Sequence, residues 1–195
     1  MAFPRVLVVD EDPGKQSDLQ DLLRSLGIAL IERVDAAGAV TRARAQPPGL
    51  IVIDRLAEKP RTISVVRDLS SKQLAPVVAC SEREDRDFVG QVLAAGAAAV
   101  ILRPFDGAVV ETTIRVALFR WGEWRKLRES LHRAREALQA RGLVERAKGI
   151  LMGGEKNLTE KEAHRLIQKA AMDEQKSRRQ IAEAIILNHK VTRGR

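Results

Sequence analysis

The chain has one cysteine, Cys80, among its 195 residues. No internal disulfide is therefore available, and a reducing cytosol is the expected setting. No run approaches the roughly 20 apolar residues that would span a bilayer. The N-terminus, MAFPRVLVVDEDP, passes from a short apolar run straight into acids. It lacks the basic start, long apolar region and small-residue cleavage site of a signal peptide, so a cytoplasmic protein with no membrane partner is expected. Repeats and low-complexity tracts are missing too. So are a nucleophile–base pair and a phosphate-binding Gly-rich loop, which argues against an enzyme. No aromatic residue follows Trp124, so stacking of splayed bases on aromatic rings is unavailable to the last third of the chain. His164 has no His or Cys nearby to complete a metal site.

What is present is apolar enough for a core, at 45%, and unevenly charged. Residues 1–110 carry 14 basic and 15 acidic side chains, a balance of −1, whereas residues 111–195 carry 20 and 11, a balance of +9. A nearly neutral half joined to a strongly basic one implies two domains, of which the second invites a polyanion.

In the first half, VLVV (6–9) and LIVI (50–53) are unbroken apolar runs, each followed by an Asp. PVVAC (76–80) and AAVIL (98–102) repeat the design, and IALIERV (28–34) is a weaker fifth. Runs of this kind suit a parallel sheet covered on both faces. Helical patterns lie between them: Leu19, Leu22, Leu23 and Leu26, closed by Gly27; Val40 and Ala43 after an Asp35 cap; Ile63, Val65, Val66 and Leu69; and Phe88, Val89, Val92 and Leu93, ending near Gly96. The expectation is an α/β domain over 1–120, a five-stranded doubly wound parallel sheet, with Ile114, Ala117 and Leu118 on a closing helix.

Beyond it, Trp124, Leu127, Leu131, Ala134 and Leu138 recur at steps of 3, 4, 3 and 4. That spacing predicts a coiled-coil helix over 121–142 with a dimer seam. After Gly142 the pattern predicts a small all-α domain of three helices over 143–190. The first runs from Leu143 to Met152. The second opens on a Thr159–Glu162 capping box and buries Ala163, Leu166, Ile167, Ala170 and Ala171. The third follows Ser177, with Gln180 three residues on, and carries Ile181, Ala184, Ile185 and Leu187.

In an open parallel sheet, ligands meet the carboxyl ends of the strands. Those ends supply Asp10, Glu11 and Asp12, then Asp54, then Ser81, then Arg103 and Pro104. Converging carboxylates repel one another, and Mg²⁺ would relieve that repulsion. A carboxylate beside such a metal can attack phosphorus, and a hydroxyl and a cation would hold the phosphoryl oxygens.

The set VLVVDED, LIVID, APVVACS and VILRPF resembles the flavodoxin-like receiver domain of two-component response regulators. The resemblance implies Mg²⁺ at Asp10, Glu11 and Asp54, with Asp54 as the phosphoacceptor. It also implies phosphate contacts from Ser81 and from Arg103, which stands where the family has Lys before a cis-proline. Three departures stand out: that Arg; Val100 and Ile101 where an aromatic switch residue is usual; and the loop RLAEKPRT after Asp54. The strings RGLVERAKGILM (141–152), LTEKEAHRLIQKAAMDE (158–174) and SRRQIAEAIIL (177–187) resemble the ANTAR domain, the RNA-binding module of amidase and nitrate-assimilation antiterminators. That likeness implies binding of hairpins in leader mRNA, with Arg141 and Lys148 matching the family's own motif. Independently, the charges of Arg141, Arg146, Lys148, Lys169, Lys176, Arg178 and Arg179 are expected to contact RNA phosphates, and the seam is expected to form a homodimer. Control would come from a sensor histidine kinase or a sequestering sensor protein. The atypical loop leans toward nitrate or nitrite assimilation. Two other readings stay open, a DNA-binding regulator using a helix-turn-helix and an adaptor whose basic half binds an acidic protein.

Overall fold

The computed structural model describes residues 4–11, 17–54, 59–82, 86–153 and 158–193. Within that span the chain divides into two compact units, Met1–Arg125 and Lys126–Arg195.

In the first unit, β1 (Val6–Val9), β2 (Ile31–Val34), β3 (Leu50–Ile53), β4 (Val77–Glu82) and β5 (Ala99–Arg103) form one parallel sheet in the order β2-β1-β3-β4-β5. Alternation along each strand explains why the apolar runs are unbroken. Leu7, Val9, Ile51 and Ile53 point into one core with Ala39 and Ala43 of α2 (Ala39–Ala45), Val66 and Leu69 of α3 (Lys59–Lys72), and Phe88 and Val92 of α4 (Arg86–Ala94). Val6, Val8, Leu50 and Val52 point into the other, with Leu19 and Leu23 of α1 (Asp18–Ser25) and Val110, Ile114 and Ala117 of α5 (Gly107–Met152). The doubly wound sheet is thus the one expected.

The weak fifth run proves to be one of the two edge strands. It is shorter than 28–34 and half-buried throughout, because among the described residues only β1 pairs with it. Two boundaries depend on glycine: Gly27 after α1 and Gly96 after α4 adopt φ of +83° and +108°, a region that side chains with a Cβ enter at a cost. Asp35 does not cap α2; the cap is Gly38, whose N–H donates to Asp35 Oδ1 at 2.7 Å. On α4, Leu93 turns outward, 45% exposed.

In the second unit, Gly142 does not end a helix. α5 runs without a break through Gly122 and Gly142 to Met152, so the first small helix is its last part. α6 (Glu160–Asp173) starts on the expected Thr159–Glu162 capping box. α7 (Arg178–Arg193) starts on a similar pair, with Ser177 N–H donating to Gln180 Oε1 at 2.9 Å and Gln180 N–H donating to Ser177 Oγ at 3.2 Å. Ala147, Ala163, Ile167, Ile181, Ala182 and Ile186 are buried, with Leu143, Val144, Ile150, Leu151, Ala170, Ala171 and Ile185 packed around them. The inward stripe of α7 is rotated from the expected one: Ala182 and Ile186 face in, while Ala184 and Leu187 are exposed. Leu166 on α6 is also exposed, at 47%.

Candidate functional site

Parallel pairing in register brings the carboxyl ends of the strands to one edge. Val9 pairs with both Val34 and Ile53, and the ladder continues as Asp10 N–H donates to Val34 O at 3.0 Å and Asp54 N–H to Val9 O at 2.8 Å. Asp10 and Asp54 therefore sit side by side in backbone register, 4% and 2% exposed. Ser81, 6% exposed, comes from β4, and Arg103 ends β5 before a cis peptide to Pro104. Of the expected set, Asp12 lies outside the described residues, as does the start of the loop after Asp54.

The side chains then pair in a way that only the assembled fold reveals. Arg103 donates from Nη2 to Asp54 Oδ1 and from Nη1 to Asp18 Oδ2 at 2.8 Å, with its guanidinium carbon 4.2 Å from the centre of the Phe105 ring. Burial alone would lower the Arg103 pKa; the hydrogen bond to Asp54 and the charges of Asp54 and Asp18 outweigh it and hold it above its ordinary value. Ser17 donates to Asp54 Oδ2 at 3.4 Å. Arg33, from β2, donates to Asp10 Oδ2 at 2.6 Å, and Arg61, from α3, to Glu11 Oε1 at 2.9 Å. Beside Asp54, burial pushes the Cys80 thiol well above 9.0, and the Asp54 charge adds to the rise. The thiol is therefore held in its protonated form.

This geometry bears on the cation. The donor type is right for Mg²⁺, but as arranged the carboxylates carry arginines. Among the described residues no three carboxylate, imidazole or thiolate groups come together as a metal site. Ser17, Asp18, Arg33, Arg61 and Phe105 were not picked out from sequence. Only register and helix placement bring them to the strand ends, although the Asp18 position, one residue into a helix after an acidic strand end, was a usable cue.

The seven basic residues expected to face RNA fall into three groups. Arg141, Arg146, Lys169 and Arg178 are exposed, with no ion-pair partner among the described residues. Lys176 meets Glu174 at 2.8 Å, and Arg179 meets Glu183 at 2.9 Å, both on the surface. Lys148 is different, being 6% exposed with its Nζ 2.8 Å from Glu145 Oε2 and 2.7 Å from Glu160 Oε1. Hydrogen bonds to Glu145 and Glu160 raise its pKa above 10.5. It fastens the end of α5 to the first turn of α6. The seam residues are all exposed: Trp124 at 38%, Leu127 at 71%, Leu131 at 48% and Leu138 at 69%, with Ala134 also outside any core.

Comparison with known proteins decides the family. Residues 6–115 match the response regulator receiver domain and residues 132–186 the ANTAR domain. The chain is an ANTAR-domain response regulator. It is 32% identical over 183 residues to the transcriptional regulatory protein PdtaR of Mycobacterium tuberculosis, covering 93% of this chain and 89% of that one. The transcriptional regulatory protein CseB of Streptomyces avermitilis matches over only 117 residues, 31% identical, covering 60% and 50%. NtrX of Brucella abortus superposes with a TM-score of 0.54 at 22% identity, over 76% of this chain and 34% of that chain. FixJ-N superposes with a TM-score of 0.53 at 21% identity, over 60% and 95%. These two structural likenesses concern fold. An ANTAR-domain response regulator is a regulatory rather than a catalytic protein. Among the described residues no helix is long and apolar enough to cross a membrane.

Proposed function

We propose that this chain is a transcription antiterminator. In this reading its second unit grips hairpins in leader mRNA, and its receiver domain sets when that happens. The observation that carries it is the ANTAR match over 132–186, on a unit that presents Arg141, Arg146, Lys169 and Arg178 to solvent. With no aromatic side chain in that unit, recognition rests on phosphate charge, arginine planes and hairpin shape. Lys176 and Arg179 add to the field from within surface ion pairs, which are weak enough to exchange for phosphate. Lys148 contributes to RNA binding by holding α6 against α5 and by its charge near the basic face. A homodimer through Trp124, Leu127, Leu131, Ala134 and Leu138 would present two such units and raise the effective concentration of the second hairpin contact.

Control enters at Asp54, the buried carboxylate at the end of β3. A sensor histidine kinase phosphorylates it, and Ser81 and Arg103 take the phosphoryl oxygens. Mg²⁺ belongs to this reading at Asp10, Glu11 and Asp54 once their arginines withdraw. The protein works in the cytoplasm. No operon is assigned: the lean toward nitrate rested on a loop that begins outside the described residues, and the names of the relatives above do not mention nitrate.

The test is binding of the full chain to a leader RNA with paired hairpins, with and without acetyl phosphate, alongside Asp54→Ala. Binding that strengthens with the donor in the wild type alone is the expected result. Tight binding indifferent to both would keep the RNA function and make the receiver a docking platform for a sequestering sensor protein. Absence of hairpin binding overturns the proposal.

A further inference from the structure

Repulsion among the strand-end acids was the physical reason to expect a cation, and the chain supplies cations of its own. Arg103 stands where receivers carry a lysine. Arg61 sits on a helix surface with its side chain 48% exposed, and so is easily displaced. Arg33 is the additional charge, and it is built in. Val8 pairs with Arg33 across β1 and β2, so Arg33 shares a face of the sheet with Val8 and, two residues on, with Asp10. Strand register, rather than the wandering of a long side chain, aims Arg33 at Asp10. The pair is closed from solvent as well, with side chains 10% and 6% exposed and 2.6 Å between Nη2 and Oδ2.

A guanidinium is permanently charged and offers a planar set of donors. Mg²⁺ needs near-octahedral oxygen ligands and gives up water reluctantly. An ion at Asp10 must therefore displace Arg33 from Oδ2 or bind while that guanidinium sits 2.6 Å from the same carboxylate, beside a divalent charge.

We infer that Arg33 is a resident counter-ion competing with a divalent cation for Asp10, so that this pocket holds Mg²⁺ weakly until the Arg33–Asp10 pair opens. The inference rests on reading the pocket as the receiver's acid site and is independent of RNA binding. Mg²⁺ affinity then reports the state of the Arg33–Asp10 pair, and anything that draws Arg33 away primes the pocket.

The experiment is calorimetric titration of the full-length protein with Mg²⁺, repeated with Mn²⁺ followed by paramagnetic resonance. Wild type is compared with Arg33→Gln and with Arg33→Met, which keeps part of the apolar stem. Both variants are expected to bind the ion at least about tenfold more tightly than wild type, and Asp10→Asn added to either should abolish the gain. Thermal midpoints supply a second readout, with Mg²⁺ raising those of the variants more than that of the wild type. Equal affinities in wild type and variants, or a gain that survives Asp10→Asn, would overturn the inference. Should neither variant fold without ion, recovery of folding on adding Mg²⁺ supports it and failure to recover overturns it. Hairpin binding is not read in this experiment, so failure of the antiterminator reading leaves its result interpretable.

Discussion

The side chain of Asp54 is fully buried while that of Arg103 is 17% exposed, which makes their pair asymmetric in its consequences. Removing the cation strands a buried carboxylate, whereas removing both charges does not. Arg103→Ala should therefore lower unfolding free energy by about 3 kcal/mol in urea denaturation, and Asp54→Asn in the same chain should recover most of the loss. In the second unit the same reasoning separates two lysine and arginine roles. Lys148→Met should lower the melting temperature by several degrees. Arg146→Ala should leave melting alone and reduce the slope of log affinity against log salt by about 0.7–0.9, one phosphate contact. Equal melting losses would contradict that division. The residues legible from sequence at this scale were the ones that end strands: Asp10, Asp54, Ser81 and Arg103. Their partners Ser17, Asp18 and Arg33, and Arg61 on Glu11, were not, because pairing across elements depends on register and rotamer.

For the elements, the capping box was the most readable feature and helix continuity the least. The capping box on α6 was visible as Thr159 with Glu162, and it makes that helix sensitive to acid. Hydrogen bonds from the Thr159 hydroxyl and backbone N–H hold the Glu162 carboxyl below the ordinary 4.5, and Lys148 holds Glu160 below it likewise. A carboxyl whose folded value is depressed adds stability above its unfolded value, and that stability is lost as pH falls through the folded one. Melting of the wild type should thus decline below about pH 4.5. Glu162→Gln, which still accepts the backbone bond, should decline less steeply in circular dichroism melts. Gly142 misled because a glycine inside a helical pattern also reads as a stop; α5 absorbs it at a cost of about 1 kcal/mol relative to alanine. A Cβ built there meets nothing within 4 Å. Gly142→Ala should accordingly raise stability by about 0.5–1 kcal/mol, and a loss would contradict a continuous α5. On α7 the error was one of phase, since ILE-rich AEAIIL offers two adjacent apolar stripes and only packing against α6 selects Ile181, Ala182 and Ile186.

For the whole molecule, charge asymmetry was the most informative coarse feature. A first unit of 17 basic and 17 acidic side chains over residues 1–125 and a second of 17 and 9, a balance of +8, over residues 126–195 suit the proposed division between a regulated module and one that meets a polyanion. The exposed stripe of Leu127, Leu131 and Leu138 is the surface assigned above to the proposed homodimer. Leu131→Asp should convert a dimer to a monomer in sedimentation and weaken binding to paired hairpins far more than to a single hairpin. That the polyanion is folded RNA is tested most directly by competition for the intact protein between a labelled leader hairpin and unlabelled duplex DNA of equal length and charge, at two salt concentrations. Duplex DNA is expected not to displace the hairpin at the higher salt, where non-specific phosphate contacts have weakened. Displacement at equal concentration under both conditions would contradict it.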